Sequence, residues 1–459
     1  MNVDTRRSAV VALVFPRAAS MPQRLALASG LAIAAAAGVA QADVVTDMNA
    51  VVSSPPVAPR FGGPQQQSRV IAMTQIAVHD ALNSIDRRYE TYSVVPTASA
   101  NASPDAAVAA ATRRVALTML DPLPASADKT SAINAINNAF DSVLGAMPYD
   151  ASELAGIAAG NAAADAILAA RSNDGSATPN TPYLLAAARG VYQPTPNPEF
   201  PAQIVPMFGL WGQVLPFVIH DAQQFRAGPA KILDVTSKAY ARDYNEVKSI
   251  GDALVRGAAP DSAQSDIARY WPGGGSNWNL TARTIVEGLG LDRWQHARLL
   301  ALLNMAETDG LITTMGAKYD YNFWRPVTAI RWTNDGNAAT SSNATWRPFL
   351  VTPPYPDYPC ALPTATGAST EVLRRFFGTD NIAFTRTFAA PPVPLPAPLV
   401  DLPGKTITRH FDSLSQAANE AIDARVYAGI HFRCGCRAGV RTGTQVGRYV
   451  FLHALRPVK

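Results

Sequence analysis

Apolar residues recur at helical spacing along almost the whole chain, and strand-type alternation is scarce. Ile133, Ile136, Phe140, Val143 and Leu144 keep the helical step, as do the smaller Val440, Gly443, Gly447, Val450 and Ala454 near the end. Asp150 and Glu153 form a capping-box pair that opens a helix through Leu154, Ile157, Ile167 and Leu168, up to the stop signal Ser172-Asn173-Asp174-Gly175. Further helical runs occupy Arg69 to Ile85, Val235 to Ile250, Asn279 to Leu289, Asp292 to Thr314 and Ser413 to Asp423. Such a chain is restricted to an all-α fold, in which each helix hides its apolar stripe against other helices.

With 459 residues, 48% of them hydrophobic, the chain can bury a large core as one big domain or two closely packed halves. Proline marks the connections. Pro179 to Pro206 is a long loop, and Pro391 to Pro403 is a stiff, extended spacer. The net charge of +4 is small for this length and no basic run is interleaved with aromatics, which argues against nucleic acid as a partner. Gly273-Gly274-Gly275 lacks the Gly-Lys-Ser/Thr that completes a phosphate loop, so it reads as a turn.

The first 42 residues read as an export signal. Leu25 to Val39 is an apolar stretch preceded by Arg24 and followed by Ala40-Gln41-Ala42, an A-x-A cleavage site before Asp43. Residues 1–20 make a long leader to it, and a start at Met21 gives a more ordinary signal. The stretch is too short and alanine-rich for a membrane span, and no other segment reaches that length. Residues 43–459 are therefore expected as a single α-helical domain, exported to the periplasm or secreted, with no integral membrane span.

Two blocks carry the chemistry. Lys318-Tyr319-Asp320-Tyr321-Asn322-Phe323-Trp324-Arg325-Pro326 sets a lysine seven residues before an arginine, and Arg425 stands six residues before His431 in Arg425-Val426-Tyr427-Ala428-Gly429-Ile430-His431. Three cations able to hold oxygens, with one imidazole nitrogen free for a central atom, are the inventory of a tetrahedral-oxyanion site. Taken singly, Lys318 and Arg325 also read as a solvated helix end, and His431 between Ile430 and Phe432 as a satisfied core histidine. Unrelated surface charges have no reason to keep both spacings, so together the blocks point to a binding site.

The spacings K-x6-RP and R-x5-H resemble those of the vanadium-dependent haloperoxidases and the related type-2 phosphatidic acid phosphatases. The likeness continues in Tyr319 to Arg331, Gly429 to Arg433 and Gly443 to Val450, and extends from about Ala50 to Leu455. It implies two helical bundles packed together. It also implies a site in which His431 is the metal ligand, bonding vanadate, with phosphate as the alternative occupant. Lys318 would be catalytic with His431, polarising bound peroxide, while Lys318, Arg325, Arg425 and the backbone N–H of Ala361 hold the oxygens. The family's middle block P-S-G-H aligns with Pro359-Cys360-Ala361-Leu362, so Leu362 stands in place of the acid–base histidine and Cys360 in place of a serine donor. Asp357, five residues before Leu362, reads as a turn former, or as a substitute proton carrier.

Three functions fit this inventory: vanadate-dependent oxidation of halide by hydrogen peroxide, impaired by the loss of the histidine; hydrolysis of a phosphoric monoester on the same site; or oxyanion binding without turnover. Hydrolysis of a monoester suffers most from Leu362, which cannot protonate a leaving alkoxide. The absence of a membrane span argues against a bilayer-embedded lipid phosphatase. The chain's three cysteines are Cys360, Cys434 and Cys436, the last two too close for an easy mutual bridge. The resemblance puts Cys360 and the Cys434 region on one pocket, so that a disulfide from Cys360 to Cys434 or Cys436 would close a long loop, worth about 4 kcal/mol. Three small buried hydrophobes are the other reading. His79 lies on a helix resembling the family's first, where a packing role is expected, and His220, His296, His410 and His453 lack partners at metal-ligand spacing.

Overall fold

Regular structure in the computed structural model is almost entirely helical, and most helices open on a side chain that caps them. The described residues are 43–182, 185–195, 206–272, 277–389 and 404–458. The export segment, the alternative start at Met21, the Gly273-Gly274-Gly275 turn, the Pro391 to Pro403 spacer and part of the Pro179 to Pro206 loop lie outside them. The first group of helices comprises α1 (Val44–Val52), α2 (Pro64–Ile85), α3 (Pro104–Leu120), α4 (Ala127–Gly145) and α5 (Ala151–Ala170). Asp43, Ser103, Ser126 and Asp150 cap four of these, each accepting from backbone N–H groups of the first turn. Helices α2, α3 and α5 pack side by side as the first bundle.

Four short helices follow: α6 (Lys238–Ile250), α7 (Ala253–Ala258), α8 (Ala263–Tyr270) and α9 (Trp278–Val286). The second bundle is built from α10 (Arg293–Tyr321), α12 (Ala361–Phe377), α13 (Leu414–Tyr427) and α14 (Arg433–His453), with the one-turn α11 (Pro326–Arg331) beside α6. A two-stranded antiparallel hairpin, β1 (Phe384–Ala389) with β2 (Thr406–Phe411), joins α12 to α13 in the register Phe384 to Phe411. The sequence pattern does not announce these strands.

Helix α10 is the element that both bundles share, packing against α2 on one side and α12 and α14 on the other. It has no solvent face in its middle: Leu299, Leu300, Ala301, Leu302 and Leu303 are all buried in succession. It also runs seven residues past the expected end at Thr314, closing on Asn322, whose φ of 48° terminates it in the left-handed region. One core unites the two bundles, drawing Ile76 and Leu82 from α2, Val108 from α3, Leu302 from α10, Val372 from α12 and Val446 from α14.

The closest helix contact is α12 on α14, and glycine permits it. A Cβ on Gly443 would lie 1.9 Å from the Thr364 carbonyl oxygen. The small residues that keep helical period in α14 therefore set its distance to α12, and with it the spacing of the two segments that precede these helices. Those segments line the site.

Candidate functional site

Each block of the sequence ends up at a helix terminus facing the same buried point. Lys318 occupies the last turn of α10, and Arg325 is the N-cap of α11, just beyond the left-handed turn at Asn322. Arg425 lies in the last turn of α13. His431 follows the turn at Gly429, whose φ is +76° and where a Cβ would lie 2.2 Å from the Gly251 carbonyl oxygen. The middle block, Tyr355 to Cys360, crosses between them and ends at Cys360, the N-cap of α12.

Lys318 and Arg325 are fully buried, and Arg425 and His431 nearly so. The solvated helix end is thus ruled out for Lys318 and Arg325. Lys318 Nζ donates to the carbonyls of Pro356 and Asp357, both at 2.7 Å, which uses two of its three hydrogens. Arg325 donates from Nε to the Tyr355 carbonyl at 2.7 Å and from Nη1 to the Ile430 carbonyl at 2.8 Å. The Tyr355 ring lies beneath both cations, with Lys318 Nζ 5.1 Å and Arg325 Cζ 5.0 Å from its centroid.

The protonation of His431 follows from its neighbours. Arg325 Nη1 lies 2.8 Å from His431 Nε2, and a guanidinium can only donate, so Nε2 must be the bare nitrogen. The other ring nitrogen, Nδ1, is 2.8 Å from Asp357 Oδ1. Burial and the charges of Arg325, Lys318 and Arg425 hold the imidazole well below its ordinary pKa, so it is neutral at physiological pH. Burial likewise brings the Lys318 ammonium down to about 7, with Arg325 adding to the effect. The Asp357 carboxyl is pushed up to about 7 by burial, against the pull of Arg325 and Lys318.

Asp357 therefore belongs to the site, although a loop aspartate reads first as a turn former. Its side chain is 1% exposed and lies 3.8 Å from Arg325 Nη1 as well as against His431. The only signal of Tyr355 in the sequence is its place in Tyr355-Pro356-Asp357-Tyr358-Pro359, which leads into the aligned motif. Leu362, in the first turn of α12, is half-buried and packs on the main core.

Two buried donors in this cage have no acceptor among the described residues: Arg325 Nη2 and Arg425 Nε. Leaving such groups unpaired costs about 1–3 kcal/mol each, more for charged ones. Ala361 adds a backbone N–H at the first position of α12, in helical conformation and at the positive end of the helix dipole. The leftover donors, two permanent charges and a bare imidazole nitrogen fit an oxyanion that bonds His431 Nε2 through its central atom.

The cysteines divide unevenly. All three are free thiols. Cys360 and Cys436 are fully buried in one cluster with Ile422 and Val440, whereas Cys434 is half-buried on the far side, its backbone N–H given to Asp243 at 2.7 Å. Of the two expected partners, Cys436 is the one brought to Cys360. The two thiols pack together in that cluster. Burial pushes Cys360 up, but the Cys436 hydrogen bond and the charges of Arg425, Lys318 and Arg325 outweigh it and bring Cys360 down to about 7. His79 is a buried structural histidine, with Asp80 at 3.1 Å and Asn83 on the next turn.

The C-terminal part of the chain, residues 298–459, matches the family model described as the VCPO second helical-bundle domain. The vanadium chloroperoxidase of Curvularia inaequalis is 33% identical over 172 residues, which cover 30% of this chain; the match spans about a quarter, 27%, of that relative's length. Among solved structures, the first bacterial vanadium-dependent iodoperoxidase aligns with a TM-score of 0.68 at 23% identity, covering 91% of this chain and 96% of that one. A holo-type bacterial vanadium-dependent chloroperoxidase aligns with a TM-score of 0.68 at 18% identity, covering 90% and 96%. The structural likeness carries the fold, and the sequence match carries the C-terminal bundle that holds Lys318, Arg325, Arg425 and His431, which is similar to the second helical-bundle domain of the vanadium chloroperoxidases.

Proposed function

We propose that the cage binds vanadate and that the protein oxidises a halide with hydrogen peroxide. The observation that carries this reading is the set of unpaired buried donors, Arg325 Nη2 and Arg425 Nε, arranged with the bare Nε2 of His431. Vanadate, when bound, supplies a Lewis-acid centre at which peroxide becomes electrophilic enough to take halide as its nucleophile. The chain supplies the rest. His431 would provide the nitrogen that holds the group, kept neutral by burial and by the three cations around it. Arg325 and Arg425 would neutralise the oxygens through the unpaired Nη2 and Nε donors. Lys318, anchored by two carbonyls, keeps one N–H for a bound oxygen and polarises it.

Asp357 takes over part of the role that a histidine at position 362 would have had. Its carboxyl, pushed up to about 7, can hold or release a proton beside His431 in the neutral range. Leu362 cannot do this, and its packing on the main core leaves it as a wall of the helix start.

The test is direct. Purified protein is incubated with orthovanadate and assayed for bound vanadium, for bromide oxidation by peroxide and, in parallel, for release of phosphate from a monoester. Stoichiometric vanadium with bromide oxidation is expected, and His431→Ala should abolish both. Phosphate release without bromide oxidation would make the protein a phosphatase. Vanadium binding with neither activity would leave it an oxyanion-binding protein.

A further inference from the structure

We infer that Cys360 and Cys436 form a peroxide-reactive dithiol in the wall of the oxyanion cage, which reduces hydrogen peroxide and is itself oxidised to a disulfide. The inference rests on the proposed function in one respect, that peroxide reaches this site.

The two thiols sit on adjoining helix starts that are tied together. The Cys360 N–H donates to the Gly435 carbonyl at 3.0 Å, linking the N-cap of α12 to the first turn of α14. One turn further along α14, a Cβ on Gly439 would lie 2.4 Å from the Cys360 carbonyl oxygen, so the two helix starts are in close backbone contact there. The Cys436 and Cys360 side chains lie together within one buried cluster, near enough for each to act on the other's titration. Lys318, Arg325 and Arg425 all act on the Cys360 sulfur, and cations around a thiol favour the thiolate, which is the nucleophile.

The chemistry closes without a further reagent. The Cys360 thiolate attacks one oxygen of hydrogen peroxide; the S–O bond forms, the O–O bond breaks, and the departing hydroxide takes a proton to leave as water. The Cys436 sulfur then attacks the sulfenic sulfur. The S–S bond forms, the S–O bond breaks, and hydroxide leaves with the Cys436 proton as a second water. Two thiols are oxidised by one electron each, and one peroxide is reduced by two. Disulfide formation removes the Cys360 thiol from the cage, so an excess of peroxide over halide would change the site that consumes it.

The experiment uses fully reduced, oxyanion-free protein exposed to hydrogen peroxide, with thiols counted by alkylation and the linkage read by peptide mass. Thiols should fall from three to one, with Cys434 the survivor and a Cys360–Cys436 cross-linked peptide recovered; dithiothreitol should restore all three. Cys436→Ser should stop at a sulfenic acid on Cys360, trapped by dimedone. Three persistent thiols in the wild-type protein, or loss of Cys434 alone, would overturn the inference. Vanadate titration of the same preparation separates the two readings: unreactive thiols in a protein that binds vanadate sink the dithiol alone, while a disulfide in a protein that does not bind vanadate leaves the dithiol standing and removes the proposed function.

Discussion

Two clusters of buried arginine can be set side by side in this molecule, and they differ in what is left over. In the first bundle, Arg69 donates to Asp174 at 2.6 Å and to the Arg171 carbonyl at 2.9 Å, while Arg171 reaches Asp174 at 2.9 Å and the Pro216 carbonyl at 3.0 Å. Arg171 also lies over the Phe217 ring. Burial pushes the Asp174 carboxyl up, but the hydrogen bond and charge of Arg69 win and hold it below its ordinary value. No buried polar side-chain atom of Arg69, Arg171 or Asp174 lacks a partner. The cage formed at the ends of α10, α13 and the α12 and α14 starts has the same residue types but ends with donors unpaired. Buried charge by itself therefore does not mark a site; in the cage the surplus donors stand together with the bare Nε2 of His431.

The comparison breaks first at Asp174. Asp174→Ala leaves two buried guanidinium groups without their carboxylate, and chemical denaturation should record a loss of about 3–5 kcal/mol, with vanadate affinity unchanged in whatever remains folded. A loss under about 1 kcal/mol would make that cluster no more structural than an exposed ion pair.

The cage should answer in the opposite sense. Arg425→Ala should weaken vanadate binding by about 1.5–3 kcal/mol, read by isothermal titration, with no loss of stability in the oxyanion-free protein, because a buried like charge has been removed. Arg325→Ala should lose affinity similarly and stability as well, since its bonds to Tyr355 and Ile430 tie two loops together. Normal affinity in a folded Arg425→Ala protein would place that arginine outside the site. Arg425→Lys sharpens the point: a single ammonium should recover only part of the lost affinity, because it lacks the planar fork.

The smallest effect concerns pH. Near pH 7 Lys318 loses its proton and Asp357 becomes an anion as pH rises, and both changes subtract positive charge from the cage. His431 stays neutral throughout, with Cys360 the other titratable group facing the site. Oxyanion affinity should therefore fall as pH rises through 7, by up to about tenfold per unit for each proton taken up on binding. Titration in buffers of different ionisation enthalpy measures that uptake. Affinity independent of pH between 6 and 8 would mean that these two groups do not face the ligand.

Much of this architecture was legible before any coordinates. Helical period and capping residues such as Asp150 are local properties, and local sequence determines them. So did the spacings of Lys318 with Arg325 and of Arg425 with His431, because each pair straddles one helix terminus. The length of α10 was underestimated, since residues beyond Thr314 are held helical by burial among α12 and the site loops rather than by a clean apolar stripe. The hairpin of β1 and β2 was missed for a similar reason, two short strands being stabilised by each other and by the core behind Phe384 and Phe411.

Only the tertiary structure decided which side chains share the cage. Asp357, Tyr355 and Cys436 sit far from His431 or Lys318 in sequence or carry no distinguishing spacing, and nothing in a helical period says which termini converge. The approach of α12 to α14, limited by a glycine against a carbonyl oxygen, brings Cys360 to Cys436 rather than to Cys434. Residue types and their order determine the inventory of charges and donors; packing determines which of them are satisfied and which remain for a ligand, because satisfaction is a property of three-dimensional neighbours.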